Sequence, residues 1–154
     1  MAASKNKQPK RIQEPQIQSV RRGEDPQKYY QYHPSWAFAS CDHDRWAFSE
    51  TSIGSIFWSE IFPKLRDLET RTWNEILLGA KKQNHSIPVE GLNSIAAKRL
   101  EELHIEAESV ISLRLQGKHR IYGYMVGAVF NILWYDPNHG DNDTCVCRSK
   151  LKNT

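Results

Sequence analysis

Hydrophobic and polar positions change rhythm twice along this 154-residue chain. Trp36-Ala-Phe-Ala-Ser-Cys41 alternates large and small side chains, as a strand does. Asp42-His43-Asp44 reads as a turn, followed by Arg45-Trp46-Ala47-Phe48. From Ser52 the period becomes helical. Ile53, Ile56, Phe57, Ile61, Leu65 and Leu68 recur on one face, and Pro63 is expected to kink or restart the helix. Thr72-x-x-Glu75 has the form of a capping box and predicts a short helix running to about Ala80. After a polar loop over 81–86 and Pro88, the spacing of Leu92, Ile95, Ala96, Arg99, Leu100 and Leu103 predicts another helix. The second change comes at Val110. Val110–Gln116, His119–Met125 and Ala128–Tyr135 are rich in branched and aromatic residues, with Gly117 and Gly127 where tight turns need them. Links this short imply an antiparallel meander.

The pattern therefore predicts an α+β fold: an N-terminal strand, two to three helices, then a C-terminal antiparallel three-stranded meander completing one sheet. Residues 1–34 hold four of the seven prolines and, apart from alanine and methionine, only Ile12, Ile17 and Val20 as aliphatics. Such a segment cannot bury enough surface to offset its ordering entropy. All five tryptophans lie between Trp36 and Trp134. The expected organisation is thus a flexible basic tail over 1–34, a single domain over 35–140 and a polar C-terminal tail over 141–154.

Charge sharpens this division. The net charge is +3, but residues 1–30 carry seven Lys/Arg against three acids, and the remaining chain fourteen against fifteen. The basic character belongs to the tail. A basic tail can touch nucleic-acid phosphates, and with Tyr29, Tyr30 and Tyr32 beside it can stack on single strands. The plainer reading is a solubilising leader, with the tyrosines docking onto the domain.

No apolar run approaches a membrane span, and the chain opens with polar residues where a secretory signal would be apolar. A cytoplasmic protein that does not enter the membrane is expected. Cys41, Cys145 and Cys147 form an odd set, expected to remain as thiols. Cys145-x-Cys147 near His139 and Cys41-x-His43 raise the question of a metal. The spacing departs from zinc knuckles, so no metal or other cofactor is expected.

Register decides which side chains share a face of the meander. A three-residue loop, Gln116-Gly117-Lys118, sets Leu113 opposite Ile121 and Arg114 opposite Arg120, which keeps one face apolar. Arg114, Arg120 and Tyr122 then line one side of the sheet, with Lys118 and His119 at the turn. Two facing arginines repel unless an anion neutralises them. Asp136 or Glu101 would do so as a structural charge. A phosphate would do so functionally, because guanidinium groups match phosphate oxygens in pairs and hold their charge. Tyr122, Lys118 or His119 could then position groups or transfer protons. His139, in Asp136-Pro137-Asn138-His139 just after the last strand, is placed either to cap the turn or for acid–base work. The candidate site is therefore Arg114, Lys118, Arg120, Tyr122 and His139.

Ser112-Leu-Arg-Leu-Gln-Gly-Lys-His-Arg-Ile-Tyr-Gly123, followed by Phe130-Asn-Ile-Leu-Trp-Tyr-Asp-Pro-Asn-His139, resembles a group of small bacterial and mobile-element proteins, prophage ones included. Their pattern is S-L-R-L-x-G-x-x-R-I-x-G and then F-x-x-L-W-x-D-P-x-H. The likeness spans roughly residues 36–140. More distantly, Leu115-Gln-Gly-Lys-His-Arg-Ile-Tyr122 resembles the hairpin of RelE/HigB-type toxins. Those are small α+β ribonucleases of toxin–antitoxin pairs that commonly cut messenger RNA on the ribosome. The resemblance implies an endoribonuclease or RNA-binding protein with an antitoxin partner, and implies working roles for Arg114, Lys118, Arg120 and Tyr122. The alternative is a non-catalytic protein-binding module of mobile-element origin, whose sheet face docks a protein and whose arginines pair with it.

Overall fold

A computed structural model describes residues 26–80, 82–141 and 144–147. The reading of residues 1–25 as a basic tail, and of 148–154 as a polar one, lies outside the described residues.

The fold is α+β, built on a five-stranded sheet. Its strands are β1 (Ser35–Ala37), β2 (Asn84–Pro88), β3 (Ser109–Arg114), β4 (Arg120–Val126) and β5 (Val129–Asp136). They lie in the order β1-β5-β4-β3-β2. The β3–β4–β5 meander forms as expected, but the sheet is larger than three strands and mixed. β1 pairs parallel to β5, and β2 pairs antiparallel to β3. The extra strand comes from Asn84-His-Ser-Ile-Pro88, inside what its polarity marks as a loop. An edge strand needs only one partner, and Pro88 at its end is tolerated there.

The register at the hairpin is the one that apolar patterning demands. Leu113 faces Ile121 and Arg114 faces Arg120. The Leu115 N–H donates to the His119 carbonyl at 3.0 Å, closing the three-residue loop over Gly117, whose φ of 55° is left-handed. Further along, a register shift between Tyr122 and Gly123 brings Gly123 opposite Ile132. A Cβ on Gly123 would run into the Asn131 carbonyl and the Phe130 ring, 2.6 Å away. Only glycine lets β5 approach this closely.

Both faces of the sheet are covered. On one, Ile111, Leu113, Ile121, Phe130, Ile132 and Tyr135 pack against the segment 53–77. Here α1 (Glu50–Ile53) is capped by Ser49, whose side chain accepts from the Ser52 N–H. A π-turn, Phe57–Ile61, leads directly into α2 (Phe62–Leu68). Pro63 restarts the helix instead of breaking it. It sits in the first turn of α2, where its missing N–H costs nothing, and the Phe62 N–H reaches back to the Phe57 carbonyl. The Thr72 hydroxyl accepts from the Glu75 N–H, so the expected cap forms, followed by a π-turn over Glu75–Gly79. On the other face, Val110, Tyr122, Leu133 and Trp134 pack against α3 (Ser94–Glu102) through Ala96 and Leu100. Asn93 caps α3 by accepting from the Ile95 N–H.

Two flanking segments dock. The carbonyls of Tyr30 and Tyr32 accept from the Asn74 and Trp73 N–H groups, at 2.7 and 3.0 Å. Thr144–Cys147, expected within a polar tail, runs against the domain instead. Cys145 and Val146 are fully buried, and the Asn93 N–H donates to the Val146 carbonyl. The short apolar step at Val146 gives this stretch something to bury, although its neighbours are polar. No helix among the described residues is long and apolar enough to cross a membrane.

Candidate functional site

The strand order carries the polar residues of β2, β3, β4 and β5 to one end of the α3-side face. Arg114, Arg120 and Asp136 stand in one cross-strand row. His85, Ser112, Tyr122 and Trp134 stand in the next. The chain leaving β5 then turns back over this corner. The Asn138 N–H donates to Asp136 Oδ1 at 2.8 Å, and the His139 N–H donates to the Lys118 carbonyl at 3.1 Å. These two bonds set His139 beside Tyr122, with Nδ1 3.2 Å from the phenol oxygen.

The two arginines, though opposite one another, are not equivalent. Arg120 is buried, and its Nη1 donates to the carbonyls of Gly117 and His119 at 2.8 and 2.9 Å. It therefore ties down the β3–β4 loop. Burial first, then the charge of Arg114, lower its pKa. Arg114 is exposed, and among the described residues no carboxylate lies within 4 Å of its guanidinium or of that of Arg120. Asp136 is beside Arg120 in register, but its carboxylate is fully buried and accepts the Asn138 and Val146 N–H groups. Burial raises its pKa against those bonds and the nearby Arg120. Glu101 is exposed on α3 and makes no ion pair with either arginine. The corner is thus net cationic.

His139 is held toward its neutral form by burial, reinforced by Arg120, His85 and Arg114. Tyr122 is completely buried, and burial pushes its phenol up, so it stays protonated through the ordinary pH range. When His139 Nδ1–H donates to the phenol oxygen, Nε2 carries the lone pair and can take a proton. In the other tautomer the phenol donates and Nε2 bears hydrogen. A neutral histidine oriented by a fixed hydroxyl, in a cationic corner, is equipped for proton transfer beside an anion.

The remaining expected residues sit apart. Lys118 is exposed and pairs with Asp141 at 2.7 Å. His119 turns to the opposite face, where Nδ1 lies 2.7 Å from Glu60 and the ring meets Tyr135 edge-on. His85 is the residue the sequence reading missed. Its strand lacks the apolar alternation that would signal it, and only pairing with β3 brings His85 level with Ser112. No set of three His, Cys, Asp or Glu side chains able to hold a metal ion is gathered among the described residues.

A second polar node lies deeper. Asp42, in the loop expected as a turn, is buried and accepts from Arg99 Nε and Nη2 at 2.8 and 2.9 Å and from Trp134 Nε1 at 3.0 Å. It also accepts from the Asp44 and Arg45 N–H groups. Burial opposes its charge, yet these donors together hold the carboxyl well below the usual carboxylate range. With every donor coming from the protein itself, Asp42 is architectural: it joins the 42–45 loop, α3 and β5.

No protein family, curated protein or solved structure matches this chain.

Proposed function

We propose that this chain acts on RNA as a relative of the RelE-type toxins, with the Arg114–Arg120–Tyr122–His139 corner as its phosphodiester site. The observation that carries the reading is the Tyr122–His139 contact at 3.2 Å beside two arginines without carboxylate partners among the described residues. In this reading Arg114, exposed at the rim, engages the phosphate, and Arg120 shapes the loop and adds positive potential. His139 Nε2 takes the proton from the ribose 2′-hydroxyl as that oxygen attacks phosphorus and the 5′-oxygen departs. Tyr122 positions the imidazole. Lys118 is held off by Asp141 and serves as a rim charge.

The test is induction of the parent, Arg114→Ala and His139→Gln proteins from a tightly repressed plasmid in bacteria, with soluble amounts compared and RNA ends mapped. Growth arrest with new RNA ends from the parent alone supports the reading. Unimpeded growth with abundant soluble parent rejects it.

A second reading, a non-catalytic protein-binding module, is favoured by a different surface. Trp58 is 69% exposed and meets Phe57 edge-on and Phe62 at a tilt. It borders a cavity of about 580 Å³ lined also by Phe48, Ile53 and Phe57. An aromatic rim around an apolar hollow suits a partner's anchoring side chain. This surface lies on the α1–α2 side of the sheet, opposite the face that carries the arginines.

A further inference from the structure

The segment Thr144–Cys147 carries two thiols that the corner chemistry above does not use. Cys145 is fully buried and Cys147 partly exposed, and no disulfide joins them. Their sulfurs nonetheless lie 2.8 Å apart. A disulfide needs about 2.05 Å, so closing one asks for less than about 1 Å of movement. The segment is also fastened along its length. Trp46 Nε1 donates to the Thr144 carbonyl at 2.8 Å, and Asn93 Nδ2 to that of Cys145 at 3.2 Å. The Val146 N–H donates to Asp136 at 2.9 Å, and Cys147 forms a β-bridge with Leu92. Two thiols so held behave as neighbours at very high effective concentration, which favours an internal disulfide over two separate adducts.

We propose that Cys145 and Cys147 form a redox-active dithiol site whose co-reactant is a low-molecular-weight disulfide of the glutathione class. The accessible Cys147 thiolate attacks one sulfur of the small disulfide. One small thiolate leaves, and a mixed disulfide remains on Cys147. Cys145 then gives up its proton and attacks the Cys147 sulfur, expelling the second small thiolate. The two cysteine sulfurs lose two electrons in total and the small disulfide gains them. The two cysteine protons end on the two released thiols. Burial pushes the Cys145 thiol up to about 12, which suits the order in which Cys147 reacts first and Cys145 resolves. Cys41, in a different part of the domain and pushed up to about 11 by burial, is the internal control. The site stands independently of the RNA reading, because no residue of the proton-transfer pair takes part.

The experiment treats the full chain with oxidised glutathione, quenches with N-ethylmaleimide and maps peptides by mass spectrometry. The expected product has lost two hydrogens, carries no label on Cys145 or Cys147, and regains both labelling sites after dithiothreitol. Cys145→Ser, checked for folding by circular dichroism, is expected to accumulate glutathione on Cys147. Labelling of both thiols after oxidation, or a stable glutathione adduct on Cys147 of the parent, overturns the proposal. The parent protein decides this even if the variant fails to fold.

Discussion

The Tyr122 hydroxyl and His139 Nδ1 meet at 3.2 Å although 17 residues separate them in the chain. One residue is locked in a central strand, and the other is carried there by a turn fastened to Asp136 and to the Lys118 carbonyl. The contact joins a rigid half and a loop half. If the corner cleaves RNA as proposed, His139→Gln lowers that cleavage by about 10²–10⁴-fold, the usual contribution of a general base. Its melting temperature should stay near that of the parent. Cleavage retained at the parental rate would remove His139 from the chemistry.

Stability should report the same histidine through pH. Its folded pKa lies below the ordinary value of 6.5 because of burial and of Arg120, His85 and Arg114, with Tyr122 hydrogen-bonded to Nδ1. Below 6.5 the unfolded chain binds the proton more readily than the folded one. The stability linked to neutral His139 is therefore complete above 6.5 and is lost as pH falls through the folded pKa. Thermal melts between pH 7.5 and 5 should fall more steeply for the parent than for His139→Gln.

The facing arginines should separate in their effects. Arg120→Ala leaves the Gly117 and His119 carbonyls without the Nη1 donor and opens a buried position. A loss of about 1–3 kcal/mol in chemical denaturation is expected. Arg114→Ala, at an exposed position, should change stability by no more than about 0.5 kcal/mol, while on the proposed reading it weakens RNA cleavage. Equal destabilisation by both would show that the pair is purely structural.

Asp42→Ala should be among the most damaging single changes. It leaves the buried Trp134 indole N–H without its acceptor and takes two hydrogen bonds from Arg99, which keeps Glu102 at 3.0 Å and Asp44 at 3.5 Å. A buried donor left unsatisfied costs about 1–3 kcal/mol. Because the carboxyl is held below its usual range, its contribution is present above the ordinary Asp value and is lost as pH falls through the lower folded pKa. Parent and Asp42→Asn should therefore converge in stability in strong acid.

Gly123→Ala tests the close approach of β5. The new methyl group meets backbone at Asn131 and the Phe130 ring, neither of which can swing away. A destabilisation of about 1–3 kcal/mol is expected from the forced shift. A neutral result in a urea titration would mean that the strands relax there.

The sequence by itself determined the meander, its turns and the register of its first hairpin. Alternation of apolar residues with a period of two, broken by Gly117 and Gly127, permits one pairing that keeps Leu113 and Ile121 on the core side. That same local rule placed Arg114, Arg120 and Tyr122 on a common face. The Thr72 cap and the helical stripe from Ile53 to Leu68 were legible for the same reason: their signals span a few neighbouring residues.

Tertiary structure alone decided the rest. β2 is too polar to announce itself and exists by pairing with β3, which is how His85 reaches the corner. β1 runs parallel to β5, a contact across nearly a hundred residues that no local period encodes. Asp42 looks like a turn former until Arg99 and Trp134 converge on it. Thr144–Cys147 reads as polar tail because Val146, its one aliphatic residue, finds a partner only once α3 and the sheet have formed a place for it. Periodicity reports which face of an element is apolar. It does not report which distant element will cover that face, because that choice belongs to the packed whole.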